Sequence, residues 1–382
     1  MAALSQSGAQ VIKRFGAFRD MLDEPYKGDV YQQAYRQGLR AEVRKGQDMA
    51  ALCIDALEAH PAMPLSYLET KVQRATSYVF LGKLASYPHD FNTAQAWQDG
   101  YRYIFDTPPL HEQFYREVRD EEVYANISGR YSALHAFIAL GRRMGQLTTP
   151  TVVDVGAGQL LGLKRIAGGY GFDPPRALNP VEGNMYRQLQ DDNPTLGWGI
   201  GIDMRRPSEN LQRARAHSFN PGELLDTERV QLFDELVASR PPNIRFFQGD
   251  AANLDRTAFA TEHGDTPPDI FHFSMMAYQL TKPERLSMLR TAKWMGARYI
   301  VGHEFGWVPR RHPHHFMLRN NWQDDPMPCR TMVMDLQEPQ PAFHELFLWQ
   351  NGRTETMALG AGALTLGAHQ AASAKDVFDR LA

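Results

Sequence analysis

The stretch from Thr151 to Gly162 reads TVVDVGAGQLLG and decides the fold. It begins with β-branched residues, which favour a strand, and passes into a turn that holds Gly156 and Gly158. Glycine is needed where a Cβ would collide with a ligand or where φ must be positive. The pattern predicts a strand, a turn that a ligand approaches closely, and a helix, at the edge where open α/β sheets bind ligands.

Similar short apolar runs recur along the rest of the chain. They are Gly199–Asp203, Ile244–Gln248, Asp269–Ser274 and Tyr299–His303. The helix-like segments between them are Ser208–Ala216, Leu225–Ala238 and Pro283–Met295. This alternation predicts parallel βαβ units in a sheet that is covered on both faces. Near the end of the chain, Glu345–Trp349 and Thr354–Leu359 flank Asn351-Gly352, a strong hairpin signal.

The part of the chain before this region reads as successive helices from about Val30 to Gly145. Apolar residues at helical spacing mark Met49–Leu57, Tyr67–Ala85 and Ile127–Arg143. We therefore predict two domains: a helical N-terminal cap, substrate or dimerisation domain over residues 1–147, and a ligand-binding domain over residues 148–382. The predicted fold class is α/β, with a Rossmann-like, mostly parallel sheet that ends in an antiparallel hairpin, preceded by an all-α N-terminal domain.

Composition limits the possible partners. The formal net charge of the 382 residues is -3, which disfavours nucleic acid or a membrane surface as an obligatory partner. Cys53 and Cys329 lie in no metal-binding pattern and are expected to be reduced and unpaired, so no metal is predicted. The N-terminal residues lack the apolar core of a signal peptide, and no stretch approaches a membrane span. We expect a cytoplasmic protein with a small-molecule substrate.

Acidic residues stand at the ends of the first three predicted strands of the sheet. Asp154 precedes the glycine turn, Asp203 ends the second strand, and Asp250 follows the third. A carboxylate beside the turn suits a cationic ligand, whereas anionic pyrophosphate favours a helix N-terminus without such a charge. A carboxylate at a strand end also suits ribose hydroxyls.

These residues resemble the class I S-adenosylmethionine-dependent methyltransferase family over about Thr148 to Gly302. The resemblance implies that Asp154, Gly156 and Gly158 hold the methionine part of S-adenosylmethionine, and that Ser208–Arg215 is the helix following the second strand. It also implies that Asp203 binds the ribose, that Asp250 lies by the adenine amino group with Ala251 alongside, and that Ser274 lies beneath the sulfonium. Ala157 and Met204 are further candidates for cofactor contacts. The intervals between the three acids are long, which predicts an insertion in each; Glu182 is the competing acid for the ribose.

Candidates for the chemistry follow the fourth and fifth predicted strands. His303 is either a general base or a histidine held by a structural hydrogen bond. Tyr278 and Gln279 either contact the transferred group and the substrate or pack under the next helix. Glu304 is a further candidate for substrate binding. Arg310 and Arg311 could clamp a carboxylate or phosphate, although a solvated loop explains the same residues.

Another candidate segment lies shortly before the first strand. Tyr124, Asn126 and Tyr131 are candidates for substrate contacts, and Arg130 suits the methionine carboxylate because its fork binds carboxylates in a bidentate manner. Burial of one helix face against its neighbours explains Tyr131 as well.

Three functions remain open on these residues. The leading one is methyl transfer to a small-molecule metabolite or natural product, with a possible homodimer. The same fold could instead transfer or cyclise the aminocarboxypropyl arm and release methylthioadenosine. It could also serve as a non-catalytic S-adenosylmethionine-binding partner protein, and a hydride-transferring dehydrogenase is disfavoured.

Overall fold

The computed structural model describes most of the chain. The described residues are 6–24, 30–61, 63, 65–81, 83, 91–121, 123, 131–170, 176–177, 188–189, 192, 194–209, 211–219, 221, 227–277, 280–305, 329–338, 343–349 and 356–359.

The helices and strands follow the predicted order, helices first and alternating elements afterwards. The α-helices are α1 (Gln6–Asp23), α2 (Val30–Lys45), α3 (Gln47–Ala59), α4 (Leu65–Phe80), α5 (Ala94–Asp106), α6 (Pro108–Arg119), α7 (Ser132–Arg143), α8 (Leu161–Ala167), α9 (Leu211–Ser218), α10 (Thr227–Ala238), α11 (Arg256–His263) and α12 (Lys282–Trp294). The strands are β1 (Thr151–Val155), β2 (Arg176–Ala177), β3 (Trp198–Asp203), β4 (Ile244–Gln248), β5 (Ile270–Ser274), β6 (Tyr299–Phe305), β7 (Cys329–Asp335), β8 (His344–Trp349) and β9 (Thr356–Leu359).

All of these strands belong to one sheet in the order β2-β9-β8-β7-β6-β5-β1-β3-β4. The pairs from β4 through β3, β1 and β5 to β6 are parallel, whereas β7, β8 and β9 each pair antiparallel with the preceding strand. Taken in chain order, the five strands of the parallel part lie third-second-first-fourth-fifth, which is the order of a doubly wound α/β fold. The predicted fold class is confirmed, including the antiparallel end.

Both faces of the central strands β1 and β5 are buried, which explains why these strands are apolar runs without alternation. One face, with Val152 and Val301, packs against Leu134 and Phe137 of α7 and Leu163 of α8. The opposite face, with Val153 and Phe271, packs against Met288 and Ala292 of α12. A substitution on either face of β1 or β5 therefore meets a packed core.

The chain divides into two compact units that are not contiguous in sequence. The helical unit comprises Met1–Asn126 and Asn210–Phe233, and the sheet unit comprises Ile127–Glu209 and Asp234–Ala382. This division differs from the predicted boundary at 147, because α7 shares the core of the sheet unit. The cap, substrate or dimerisation role of the helical part stays a prediction.

The helix after β3 differs from the prediction. The sequence places Ser208–Arg215 in the ligand-binding domain, but α9 begins at Leu211 and belongs to the helical unit. Arg213 of α9 donates two hydrogen bonds to the buried carboxylate of Glu117 in α6, at 2.9 and 3.1 Å, and pairs with Glu121. Arg74 of α4 donates to the backbone oxygen of Phe219. These polar contacts, between residues far apart in sequence, attach the inserted segment to the helices of its unit.

We predict that the Glu117–Arg213 pair stabilises the helical unit. Glu117→Gln should lower the free energy of unfolding by about 2–3 kcal/mol, because it removes the more deeply buried of the two carboxylates that pair with the Arg213 guanidinium. The matched control is Asp99→Asn at the exposed pair with Arg102, which should cost less than about 0.5 kcal/mol. Urea denaturation followed by circular dichroism measures both, and equal losses would contradict the assignment.

Candidate functional site

The candidate site lies at the point in the sheet where the order of successive strands reverses direction. From β1 the chain proceeds outward through β3 and β4 on one side, and β5 and β6 lie on the other side. The carboxyl ends of these parallel strands share one edge, and a crevice opens at such a reversal in doubly wound folds. Apart from Arg130, which lies outside the described residues, the predicted cofactor residues lie at or just beyond the carboxyl ends of β1, β3, β4 and β5.

The turn after β1 needs its glycines for backbone geometry. Gly156 has φ of +69° and Gly158 has φ of +52°, values in the left-handed region that favours glycine. The N–H groups of Gly156 and Ala157 donate to the carbonyl oxygen of Ile202 at 2.9 and 3.3 Å, which fixes the turn against β3. A Cβ on Gly156 would lie 3.2 Å from Sδ of Met276, so the turn is also closely approached from the side of β5.

Leu160, two residues beyond Gly158, has a left-handed backbone conformation that is usually adopted by glycine. Leu160 has φ of +62° at the start of α8, and its side chain is buried. A Cβ on Gly201 of β3 would overlap the Leu160 side chain, so the two positions are complementary in shape. The left-handed conformation is tolerated here because the leucine fills the space that the bare Gly201 leaves.

Asp154 is fully buried, and donors from two other elements meet its carboxylate. The hydroxyl of Tyr131, just before α7, donates to Oδ2 at 2.7 Å, and Nδ1 of His272 on β5 lies 2.7 Å from Oδ1. Parallel pairing places Asp154 directly beside His272. A carboxylate only accepts hydrogen bonds, so Nδ1 of His272 carries the proton in this pair. Asp154 thus lies as a buried carboxylate beneath the turn, and its contact with a ligand stays a prediction.

Two backbone N–H groups hold the carboxylate of Asp203 at the end of β3. The backbone N–H of Gly158 donates to Oδ2 at 2.9 Å, and that of Arg205 donates to Oδ1 at 3.1 Å. Burial raises the pKa of the Asp203 carboxyl, the two backbone hydrogen bonds oppose this shift, and the charge of Asp154 adds to it. Each oxygen keeps a lone pair for another donor. The neighbouring Met204 is 59% exposed, so its side chain is accessible at the edge of the crevice.

Asp250 and Ala251 lie in the turn after β4. Oδ1 of Asp250 accepts from the N–H of Ala252 at 2.8 Å, and Oδ2 accepts from Nδ2 of Asn253 at 2.7 Å. Ala251 is buried, and the N–H of Gly249 donates to the backbone oxygen of Asp203 at 2.9 Å. The turns after β3 and β4 are therefore joined directly, which brings the segments with Asp203 and Asp250 together.

The turn after β5 is shaped by Glu304 on the neighbouring strand β6. Glu304 is fully buried, and its Oε1 accepts from the N–H groups of Met276 and Ala277, each at 2.7 Å. These bonds hold a turn in which Met275 has φ of +54° and which places Met276 against Gly156. The geometry gives Glu304, predicted as a substrate contact, the role of positioning this turn.

Two polar side chains lie side by side at this edge of β5 and β6. Ser274 is paired in register with His303. Oγ of Ser274 is a buried atom with no hydrogen-bond partner among the described residues, so it is available to a bound group. His303 is fully buried, and its Nδ1 lies 2.9 Å from Oγ1 of Thr331 on β7. Of the two predicted roles of His303, this geometry favours the structural one.

Several predicted site residues lie outside the described residues. They are Tyr124, Asn126, Arg130, Glu182, Tyr278, Gln279, Arg310 and Arg311. Among the described residues, no group of three histidine, cysteine, aspartate or glutamate side chains lies close enough together to hold a metal ion. No helix of the described chain is long and apolar enough to cross a membrane.

Sequence reasoning missed His272. Its signal was a single histidine inside the apolar run IFHFS. A polar side chain in a buried strand needs a hydrogen-bond partner, because burying it without one costs free energy. The identity of that partner depends on the register between β1 and β5, which is not visible in either strand alone.

Comparisons with known proteins add little to this geometry. No protein-family model and no curated protein matches the chain. Eleven chains of solved structures match. One is the plantazolicin methyltransferase BamL in complex with a triazolic desmethylPZN analog and SAH, at 11% identity, 63% coverage of this chain, 59% of that chain and a TM-score of 0.26.

Two further solved structures match at the same level. The cyclopropane-fatty-acyl-phospholipid synthase-like protein from Lactobacillus casei ATCC 334 has 12% identity, with 49% of this chain and 53% of that chain covered and a TM-score of 0.26. The pyocyanin biosynthetic protein PhzM has 14% identity, with 79% and 81% covered and a TM-score of 0.26. The match spans less than two thirds of the length of BamL and of the synthase-like protein. At such TM-scores these likenesses carry no argument, and the fold assignment rests on the strand order.

We predict an unusual order of stability at position 160. Leu160→Gly and Leu160→Ala both lose the buried side chain and should destabilise the protein by about 2–5 kcal/mol. The glycine variant should nevertheless be more stable than the alanine variant by about 1 kcal/mol, because alanine keeps the left-handed strain. Denaturant unfolding measures the difference. If alanine were the more stable replacement, Leu160 would not hold this conformation in solution.

Proposed function

We propose that this chain is an S-adenosylmethionine-dependent transferase, and more specifically a methyltransferase that acts on a small-molecule acceptor. The proposal rests on the carboxyl edge of β1, β3, β4 and β5, where the glycine turn lies beside the segments that carry Asp203 and Asp250. The formal net charge of -3 supports a small molecule rather than a nucleic acid as the acceptor.

One observation carries the proposal: Asp203 is clamped by two backbone N–H groups, one of them from the glycine turn itself. A carboxylate held in this way is fixed before a ligand arrives, so little ordering entropy is lost when hydroxyl groups bind to it. Because Gly158 supplies one of the two donors, the ribose-binding acid and the turn form a single unit. This is the geometry expected of a nucleoside site at a reversal point.

The residues present fit the parts of S-adenosylmethionine. Asp203 would accept from the ribose hydroxyls, with Met204 exposed for contact with the adenine. Asp250 would lie by the adenine amino group, with Ala251 alongside. Gly156 and Gly158 leave the backbone bare for the methionine part, and the unpartnered Oγ of Ser274 would bind a polar group of the ligand. The bound cofactor supplies an electrophilic methyl group on a cationic sulfur.

A dinucleotide fits this edge less well. Its pyrophosphate would lie by the turn, above the buried carboxylate of Asp154, and a negative charge there disfavours an anion. A sulfonium cation is favoured by the same charge. The sign of the local charge therefore supports S-adenosylmethionine over NAD.

The described residues supply positioning rather than a proton acceptor. Methyl transfer needs an in-line approach of the acceptor, and correct placement supplies much of the rate. His303 is buried and bonded to Thr331, so we assign it no proton transfer. An acceptor that loses its proton readily, or that carries none, agrees with this arrangement. Residues 278–279 and 310–311 stay predicted contributors to acceptor binding.

The decisive experiment is incubation of the full chain with S-adenosylmethionine and an extract of the producing cells, followed by identification of the sulfur-containing product. S-adenosylhomocysteine supports methyl transfer. Methylthioadenosine instead indicates transfer or cyclisation of the aminocarboxypropyl arm. Tight binding without turnover indicates a binding protein, and no binding of S-adenosylmethionine overturns the proposal.

We predict that Asp203→Asn weakens S-adenosylmethionine binding by about 10- to 100-fold, since hydrogen bonds to a charged acceptor contribute about 1.5–3 kcal/mol. The matched control is Asp269→Asn: Asp269 also accepts a backbone N–H, from Thr151, but at the opposite edge of the sheet. Calorimetric titration measures both affinities, and the control should stay within about twofold of wild type.

The pH dependence provides a second readout of the same variant. The ionised Asp203 carboxylate is the acceptor, and burial raises its pKa, so the acceptor is lost at a higher pH than for an ordinary aspartate. The difference between wild type and Asp203→Asn should shrink as the pH falls into the acid range. A constant difference would show that Asp203 does not act through its charge.

A further inference from the structure

Tyr131, Asp154 and His272 form a buried cluster, of which the proposed function uses only the charge of Asp154. All three side chains are almost completely buried, and the rings of Tyr131 and His272 lie 5.2 Å apart between centroids. Asp154 immediately precedes Val155 and the glycine turn. A negative charge therefore lies beneath the turn, without surface of its own to touch a ligand.

Neighbouring elements fix the positions of Tyr131 and His272 in the cluster. A Cβ on Gly162 of α8 would overlap the Tyr131 ring, so the bare Gly162 makes room for this tyrosine. His272 is fixed by its strand, since β5 pairs with β1 on one side and with β6 on the other. The two donors thus reach Asp154 from separate elements, Tyr131 from the segment before α7 and His272 from β5.

We propose that Tyr131 and His272 are positioning residues that maintain Asp154 as a buried countercharge for the cationic sulfur of the ligand. The inference rests on the proposed function. Burial of a carboxylate favours its neutral form unless donors meet it. The hydroxyl of Tyr131 and the Nδ1–H of His272 supply those donors. A charge under the turn acts through its field, which distinguishes a cation from a neutral ligand of nearly the same shape.

This role has a specific signature in ligand binding. S-adenosylmethionine carries a sulfonium, whereas S-adenosylhomocysteine lacks one methyl group and has an uncharged thioether. Loss of the countercharge should weaken the first ligand more than the second. A purely structural role of the cluster would weaken both ligands equally. Other charges near Asp154, among them Asp203, stay the same in every variant and do not enter the comparison.

The experiment measures the dissociation constants of both ligands for the full chain by calorimetry. In Tyr131→Phe and in His272→Leu, the ratio of the S-adenosylhomocysteine constant to the S-adenosylmethionine constant should fall at least about fivefold relative to wild type. His272→Asn keeps an amide N–H near the position of Nδ1 and should restore most of the ratio. Asp154→Asn, which removes the charge itself, should show the largest fall.

The matched control is Tyr299→Phe. Tyr299 is also a buried tyrosine of this core; it donates to Oε1 of Gln146 at 2.9 Å and lies at the amino end of β6, away from the crevice. Loss of the Tyr299 hydroxyl should leave the ratio of the two dissociation constants within about twofold of wild type. Circular dichroism of each variant shows whether it is folded, and His272→Asn and His272→Leu test the inference if Tyr131→Phe does not fold.

The outcomes separate the two proposals. If the wild-type chain binds neither ligand, the proposed function fails and the inference fails with it. If wild type binds S-adenosylmethionine but Tyr131→Phe and His272→Leu keep the wild-type ratio, the proposed function stands and the countercharge is overturned. A fall in the ratio of the same size in Tyr299→Phe would also overturn it.

Discussion

A carboxylate taken out of water must be met by donors, and this requirement at Asp154 constrains the whole sheet unit. Asp154 on β1 reaches His272 only because β1 and β5 pair in parallel in the observed register, and a slip by one residue would turn His272 to the other face. It reaches Tyr131 only because α7 packs on the same face of the sheet. The pairing of β1 with β5 also creates the reversal of strand order where the crevice opens.

A second buried carboxylate, two strands away in the sheet, is met by donors in the same way. Glu304 on β6 accepts two backbone N–H groups from the turn after β5, and that turn presses Met276 against Gly156. Burial lowers the pKa of the neighbouring Arg285 guanidinium, while the charges of Glu304 and Glu284 oppose the shift. The glycine turn is thus flanked by the turn after β5 and by β3, and buried polar groups form hydrogen bonds to both the glycine turn and the turn after β5.

Local patterns were sufficient to predict the parallel strands and the order of acids along the edge. Thr151–Val155 and Ile244–Gln248 have the predicted bounds, and Asp203 ends its strand as expected. Strand β7, Cys329–Asp335, was missed because both of its faces are buried: Val333 packs on one core and Met332 on the other, so no alternation marks it. Local patterns could not predict contacts between residues that are distant in sequence. Examples are the contact of Arg213 with Glu117 and that of His272 with Asp154.

The interleaved course of the chain has a consequence for how such a protein can be recombined. The backbone passes between its two compact units after Asn126, after Glu209 and after Phe233. A transplant of the sheet unit as one continuous piece would carry 210–233 along and deprive that segment of Glu117, the acidic partner of its Arg213. Exchange between relatives would therefore have to respect several junctions at once, and the two units are expected to be inherited together rather than shuffled as separate modules.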